Sequence, residues 1–259
     1  MDIKRIVKES YGKVATDGSC CRNTIDGAER AMGYTEDDIR SAPEGAKLGL
    51  GCGNPLALVE IKDGDTVLDL GSGAGFDCFL AAQRVGSGGK VIGIDMTPQM
   101  IELARENARR GGFRNVEFLL GDMEDLPLED SSIDVVISNC AINLAVDKER
   151  VFKEVWRVLK EGGKFAVSDI VLGCNISEDL KESTSAYVGC ISGALLKEDY
   201  LEKIKASGFE DVKVVLESPF YAVGTCCGEG SGGKAQIEEA SSAAVSIAVL
   251  ATKPKTSLG

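Results

Sequence analysis

From residue 61 onward, short apolar runs alternate with helical repeats. Residues 67–70 read as a strand, 77–85 as a helix, and 91–95 as a second strand that ends in an acid. Thr97-Pro98 then supplies a cap residue and a proline at the first helical position, opening a helix whose apolar stripe includes Ile101, Ala104 and Ala108. Residues 116–120 give a third strand and 133–138 a fourth; 150–159 form a helix stopping before Gly162-Gly163, and 164–171 a fifth strand. Strands and helices alternating at these lengths predict a parallel sheet covered on both faces.

Either side of this run the pattern changes. Ile3, Ile6, Val7, Tyr11 and Val14 stand at helical spacing, so residues 2–15 predict an amphipathic helix, broken at Gly18-Ser-Cys-Cys-Arg22. A short acidic helix over 35–41 is followed by an irregular crossing over 43–55, where glycines and prolines forbid a regular element and hold Cys52 between Gly51 and Gly53. That cysteine reads either as part of an ordinary turn or as a thiol presented to an open cavity. Downstream, 178–187 reads as helical, Gly189-Cys-Ile-Ser-Gly193 interrupts it, and 197–206 is a helix stopped by Gly208. Residues 212–216 and 243–250 predict two antiparallel strands that complete a seven-stranded, mostly parallel α/β sheet. Between them the glycine-rich run 224–233 carries Cys226 and Cys227 and reads as a mobile loop. The expected division is an N-terminal thiol-bearing segment over 1–60, a ligand-binding core over 61–175, and an extension over 176–259.

Ligands of such sheets sit outside the carboxyl ends of the strands. The first strand runs into Asp69-Leu-Gly-Ser-Gly-Ala-Gly-Phe-Asp77, where Gly71 and Gly73 permit a tight turn and close backbone approach before a helix whose free N–H groups face the ligand. A glycine triplet alone also fits an ordinary strand-to-helix turn. Here the other strand ends agree with it: Asp95 with Met96, 24 positions after Gly71 and suited to ribose hydroxyls; Gly121, Asp122 and Met123; and Asn139 with Cys140. Phe76 stands where the dinucleotide fingerprint needs a small residue, which disfavours a nicotinamide oxidoreductase.

Charge and composition narrow the chemistry. A net charge of −12 without a basic block disfavours nucleic acid, whose phosphates would be repelled, and favours a neutral or cationic small molecule. No apolar run is long enough to span a bilayer, so no membrane partner is expected and a cytoplasmic location is. There is no histidine, so any reaction runs on carboxylates, thiols or a cofactor. Nine cysteines, in a compartment that keeps thiols reduced, point to thiol chemistry. Vicinal Cys20 and Cys21 fit disulfide exchange or capture of a thiophilic atom as well as they fit an incidental loop. Cys78 and Cys174 read as small buried apolar residues.

The set Asp69-Leu-Gly-Ser-Gly-Ala-Gly75, Gly93-Ile-Asp95, Gly121-Asp122 and Leu159-Lys-Glu-Gly-Gly163 resembles the class I S-adenosylmethionine-dependent methyltransferases, with their Rossmann-like sheet. Gly49-Leu-Gly-Cys-Gly-Asn-Pro55, Ile137-Ser-Asn-Cys-Ala-Ile-Asn-Leu144 and Tyr187-Val-Gly-Cys-Ile-Ser-Gly-Ala-Leu195, together with Tyr11-Gly12 and Cys20-Cys21, resemble the arsenite methyltransferases over nearly the whole chain. The resemblance implies S-adenosylmethionine as co-substrate, held by Asp69, Gly71, Gly73, Asp95, Met96, Gly121, Asp122, Met123 and Asn139. It implies trivalent arsenic held by Cys140 and Cys190, with Cys52 a third thiolate that also joins a disulfide relay with Cys20 or Cys21. A thioredoxin- or glutathione-type reductant, supplying reducing thiols, would reopen that disulfide, and the function implied is arsenic detoxification. Two other readings keep the fold: a methyltransferase of a small organic acceptor, and a thiol protein that binds metalloids without turnover.

Overall fold

The computed structural model describes residues 2–17, 27–220 and 234–255. Its strands are β1 (Thr66–Leu70), β2 (Lys90–Asp95), β3 (Val116–Leu120), β4 (Ile133–Asn139), β5 (Leu159–Leu172), β6 (Glu210–Pro219) and β7 (Ala244–Thr252). They make one sheet in the order β3-β2-β1-β4-β5-β7-β6. β1 to β5 run parallel, and β7 inserts antiparallel between β5 and β6. The chain order reverses at β1/β4, which opens a crevice above the carboxyl ends of those two strands.

The helices are α1 (Ile3–Asp17), α2 (Ala28–Ala31), α3 (Glu36–Ser41), α4 (Phe76–Arg84), α5 (Pro98–Gly111), α6 (Lys148–Val158), α7 (Glu178–Lys181), α8 (Thr184–Val188), α9 (Lys197–Ala206) and α10 (Lys234–Ala243). Local chemistry fixes their ends. Thr35 and Asp38 form a reciprocal capping box on α3, and the Asp147 side chain accepts from Arg150 N to start α6. Gly112 closes α5 in the left-handed conformation at φ 71°.

Burial on both faces follows from the near-continuous apolar strands. Leu68, Leu70, Ile94 and Val136 pack with Val151 and Phe152 of α6 and Tyr200 and Ile204 of α9. On the other face Val67, Val91 and Ile137 meet Phe79 of α4 and Ile101 and Ala104 of α5. A third cluster lies toward one end of β5, where Ile170 and Leu172 pack with Val7, Leu144, Ile176, Leu180 and Ile191 around Cys190.

The expected seven strands are all present, and three local expectations need correction. β5 begins at Leu159, directly after α6, rather than beyond Gly162-Gly163: Leu159 pairs with Ile133, and the glycines lie within the strand, with Gly162 N donating to Lys253 O. The helix expected over 178–187 is two short helices, because the Ser183 side chain caps α8 by accepting from Ala186 N. The helix α10 was not anticipated; it runs into β7 with no breaker between them. Cys20, Cys21, Cys226, Cys227 and the glycine-rich run expected to be mobile lie outside the described residues.

Candidate functional site

The crevice is built from the turns that leave four neighbouring strands. After β1, Gly71 takes φ 72° and its N–H donates to Ile94 O, so the loop folds back over β2. Gly73 N then donates to Asp95 Oδ2 at 3.0 Å and Thr97 N to Asp95 Oδ1 at 2.8 Å, which fixes the acid at the end of β2 with lone pairs to spare. Burial pushes the Asp95 carboxyl up, and those two N–H donors oppose it. After β3, Asp122 accepts from Lys4 at 2.6 Å; against the effect of burial, that ammonium and the Glu124 N–H hold it below the usual carboxylate range. Asp69, Gly71, Gly73, Asp95, Met96, Gly121, Asp122, Met123 and Asn139 all line this one cavity.

Gly71 sits where only glycine fits. A Cβ there would stand 2.2 Å from the Ala141 Cβ, in a left-handed backbone conformation. We expect Gly71→Ala to cost about 2–5 kcal/mol from overpacking and backbone strain together. Because Ala141 follows Cys140, the displaced turn should also disturb that thiol. Denaturant unfolding checks the first effect; a variant as stable as the parent would contradict it.

Asn139 joins the crevice to the thiols. Its Oδ1 accepts from Cys52 N at 3.0 Å, and its Nδ2 donates to Gly53 O at 2.8 Å and Asp77 Oδ2 at 3.1 Å. Cys52 O accepts from Ser246 Oγ of β7 at 2.9 Å, so the loop is stitched to the sheet on two sides. The flanking glycines are there for close approach: a Cβ on Gly51 would come 2.7 Å from Asn139 Nδ2, and one on Gly53 2.8 Å from Ser168 Oγ.

Cys140 and Cys190 both have left-handed backbone, at φ 58° and 63°, a conformation costly for a residue with a Cβ. Cys140 N donates to Ser168 O, Cys190 N to Tyr187 O, and the Cys190 thiol to Cys140 O at 3.2 Å. The Cys52 and Cys140 sulfurs lie within 4.8 Å of each other, and Cys52, Cys140 and Cys190 pack in one cluster. Three sulfurs from distant parts of the sequence therefore converge beside the crevice, whose lining includes Cys140. All three are free thiols. Burial pushes the Cys52 thiol up; hydrogen bonding to Cys140 followed by burial does the same for Cys190. Cys140 also ends well above the usual range, since its bond with Cys190 is outweighed by contact with Cys52 and by burial.

Beneath the sulfurs lies a buried polar group. A carboxylate oxygen of Asp169 and the Cys52 and Cys140 sulfurs all lie within 4.8 Å of one another. Asp169 accepts from Asn143 Nδ2 at 2.8 Å, its neighbour Ile170 N at 2.9 Å and Tyr200 OH at 3.1 Å. Burial raises its carboxyl to about 7 despite these donors and the nearby Lys148. Lys148, itself buried, donates to Asn143 O and Ala145 O.

Sequence reasoning missed Asp169, Lys148, Tyr34, Asp77 and Glu29. Asp169 is an acid inside the apolar strand expected over 164–171. Tyr34 OH donates to Asp77 at 2.5 Å within the cavity wall. Of the two other cysteines, one departs from expectation and one meets it. Cys174 is exposed rather than buried. Cys78 is buried in the core as expected, and its thiol donates to Asp69 Oδ2 at 3.3 Å.

The strand order, the glycine turn after β1 and the acidic crevice define a class I methyltransferase fold. Residues 61–208 match the family model described as "Methyltransferase domain". The chain is 46% identical over 230 residues to an arsenite methyltransferase of Halobacterium salinarum, covering 82% of this chain and 59% of that protein. It is 36% identical to an arsenite methyltransferase of Aquipseudomonas alcaligenes, with 87% and 67% covered. Among solved structures, an arsenic (III) S-adenosylmethionine methyltransferase from Chlamydomonas reinhardtii superposes with a TM-score of 0.66 at 32% identity, over 89% of this chain and 74% of that one. The chain belongs to the arsenite methyltransferase family. It spans 59% of the Halobacterium relative and 58% of a mouse one.

Proposed function

We propose that this protein methylates trivalent arsenic, held as arsenite by Cys52, Cys140 and Cys190, with S-adenosylmethionine as the methyl donor. The packing of those three thiols in one cluster, with Cys140 in the crevice wall, carries the reading. Arsenic(III) is soft, thiophilic and pyramidal, with a lone pair opposite its ligands, and sulfur is the side-chain donor that suits it. Neutral thiols are the right starting state for arsenite. Each S–As bond forms as an As–OH bond breaks, and the thiol proton leaves with the hydroxide as water. The arsenic lone pair is the nucleophile, so no base need deprotonate it, which accords with a chain that has no histidine. The donor supplies a methyl group on a sulfonium. The residues contribute chiefly orientation, worth about 7–11 kcal/mol in near-attack geometry.

The crevice suits that donor by charge. Asp95, Asp122 and Glu124 line it, while its Lys4 is held by Asp122 and Glu124. Asp95 would take the ribose hydroxyls and Gly71 and Gly73 the close-approaching methionine end, with Asp122 and Met123 at the adenine. Transfer raises arsenic to the pentavalent state, and two electrons restore it. Cys52 with Cys20 or Cys21 would supply them by closing to a disulfide, which an external thiol reductant reopens. No described helix is long and apolar enough to cross a membrane.

Incubation with arsenite, S-adenosylmethionine and a thiol reductant, read by chromatography with arsenic detection, should yield methylated arsenicals. Donor binding without any methylated product would overturn the assignment.

A further inference from the structure

We infer that the Glu29 carboxylate is a binding group for the cationic methionine end of the methyl donor, an inference that rests on the donor reading above. Glu29, on the short helix α2, is only 5% exposed. It lines the crevice together with Met32 and Tyr34, and its Oε1 has no hydrogen-bond partner among the described residues. A buried carboxylate oxygen without a donor is expensive to keep, and such groups in native structures call for an explanation.

The other carboxylates of the cavity wall are occupied. Asp69 accepts from the Cys78 thiol, Asp77 is held by Tyr34 and Asn139, Asp95 by Gly73 and Thr97, and Asp122 by Lys4. Glu124 accepts from Val146 N and pairs with Lys4. The cation next to Glu29 in sequence, Arg30, pairs with Glu36 instead. The backbone around Glu29 is fixed, with Tyr34 N donating to Glu29 O at 3.1 Å and Ala31 N to Gly27 O. A buried carboxyl group with a free oxygen in the wall of a ligand cavity is matched by a ligand cation, and the donor's methionine end carries two: the α-ammonium and the sulfonium.

Calorimetry on the full chain and on Glu29→Gln separates the possibilities. S-adenosylmethionine should bind the variant at least about 10-fold more weakly, the loss expected for a hydrogen bond to a charged group. 5′-Methylthioadenosine, which has neither cation, should bind both proteins alike. An equal loss with S-adenosylhomocysteine identifies the ammonium as partner; no loss there identifies the sulfonium. The ligand-free variant should melt no lower than the parent, because the removed charge had no partner on that oxygen. Unchanged S-adenosylmethionine affinity, or an equal loss for 5′-methylthioadenosine, would overturn the inference alone. Failure of the parent protein to bind S-adenosylmethionine would overturn the donor reading and this inference with it.

Discussion

Replacing Cys140 by glycine should abolish tight arsenite binding while leaving the fold intact. Cys140 is the thiol that lines the crevice, with its sulfur within 4.8 Å of that of Cys52 and its carbonyl accepting from the Cys190 thiol, so its loss removes the sulfur between the other two and the cavity. A structural zinc held by four ligands is worth about 10–16 kcal/mol, or about 3 kcal/mol per ligand, so removing one soft ligand should weaken binding by about 100-fold. Glycine is the informative substitution because residue 140 sits at φ 58°, where a Cβ is a burden. Relief of that strain offsets the lost thiol contacts, and the unfolding free energy should stay within about 1 kcal/mol of the parent. Cys190→Gly, at φ 63°, should behave alike. Arsenite titration by calorimetry, with S-adenosylmethionine titrated as a control, reads both effects. Arsenite affinity that survives in both variants would remove the thiols from the site.

The contrast between what the sequence predicts and what it hides has a physical basis. Fully buried parallel strands are continuous apolar runs, and helices between them carry caps and amphipathic stripes, so β1 to β5 were legible as strands of a parallel sheet. Boundaries failed where one element meets the next without a breaker, as at Val158-Leu159 and Ala243-Ala244. The cysteines could be singled out because thiols have few roles in a chain of this kind. Their left-handed backbone could not, since no glycine or asparagine marks it. Least legible was the support beneath them. Asn143, Lys148, Asp169 and Tyr200 are each unremarkable locally, and only the packing of β5 against α6 and α9 gathers them.

That buried support makes stability and thiol reactivity depend on pH in a definite direction. An ordinary aspartate titrates near ~4 in the unfolded chain, whereas Asp169 is raised to about 7 in the fold. The folded state therefore holds more protons than the unfolded one between those values, and stability falls as pH rises. The contribution is fully present below about pH 4 and is lost by the time pH has passed through about 7, a difference of about 4 kcal/mol. Asp77, raised to about 6 chiefly by burial, acts in the same direction. In Asp169→Asn the carbonyl oxygen can still accept from Asn143 Nδ2 and Ile170 N, while the amide can donate to Tyr200. Parent and variant should be close in stability below about pH 4, with the variant ahead by about 4 kcal/mol at pH 8 in denaturant unfolding. The same substitution should act on the sulfurs. Once ionised, Asp169 opposes thiolate formation at Cys52, Cys140 and Cys190, so its removal should lower their pKa values and speed their alkylation by iodoacetamide above pH 7. Equal pH slopes and equal alkylation rates in the two proteins would mean that Asp169 carries no charge at pH 8, and the neutral thiols would then owe their state to burial and to one another.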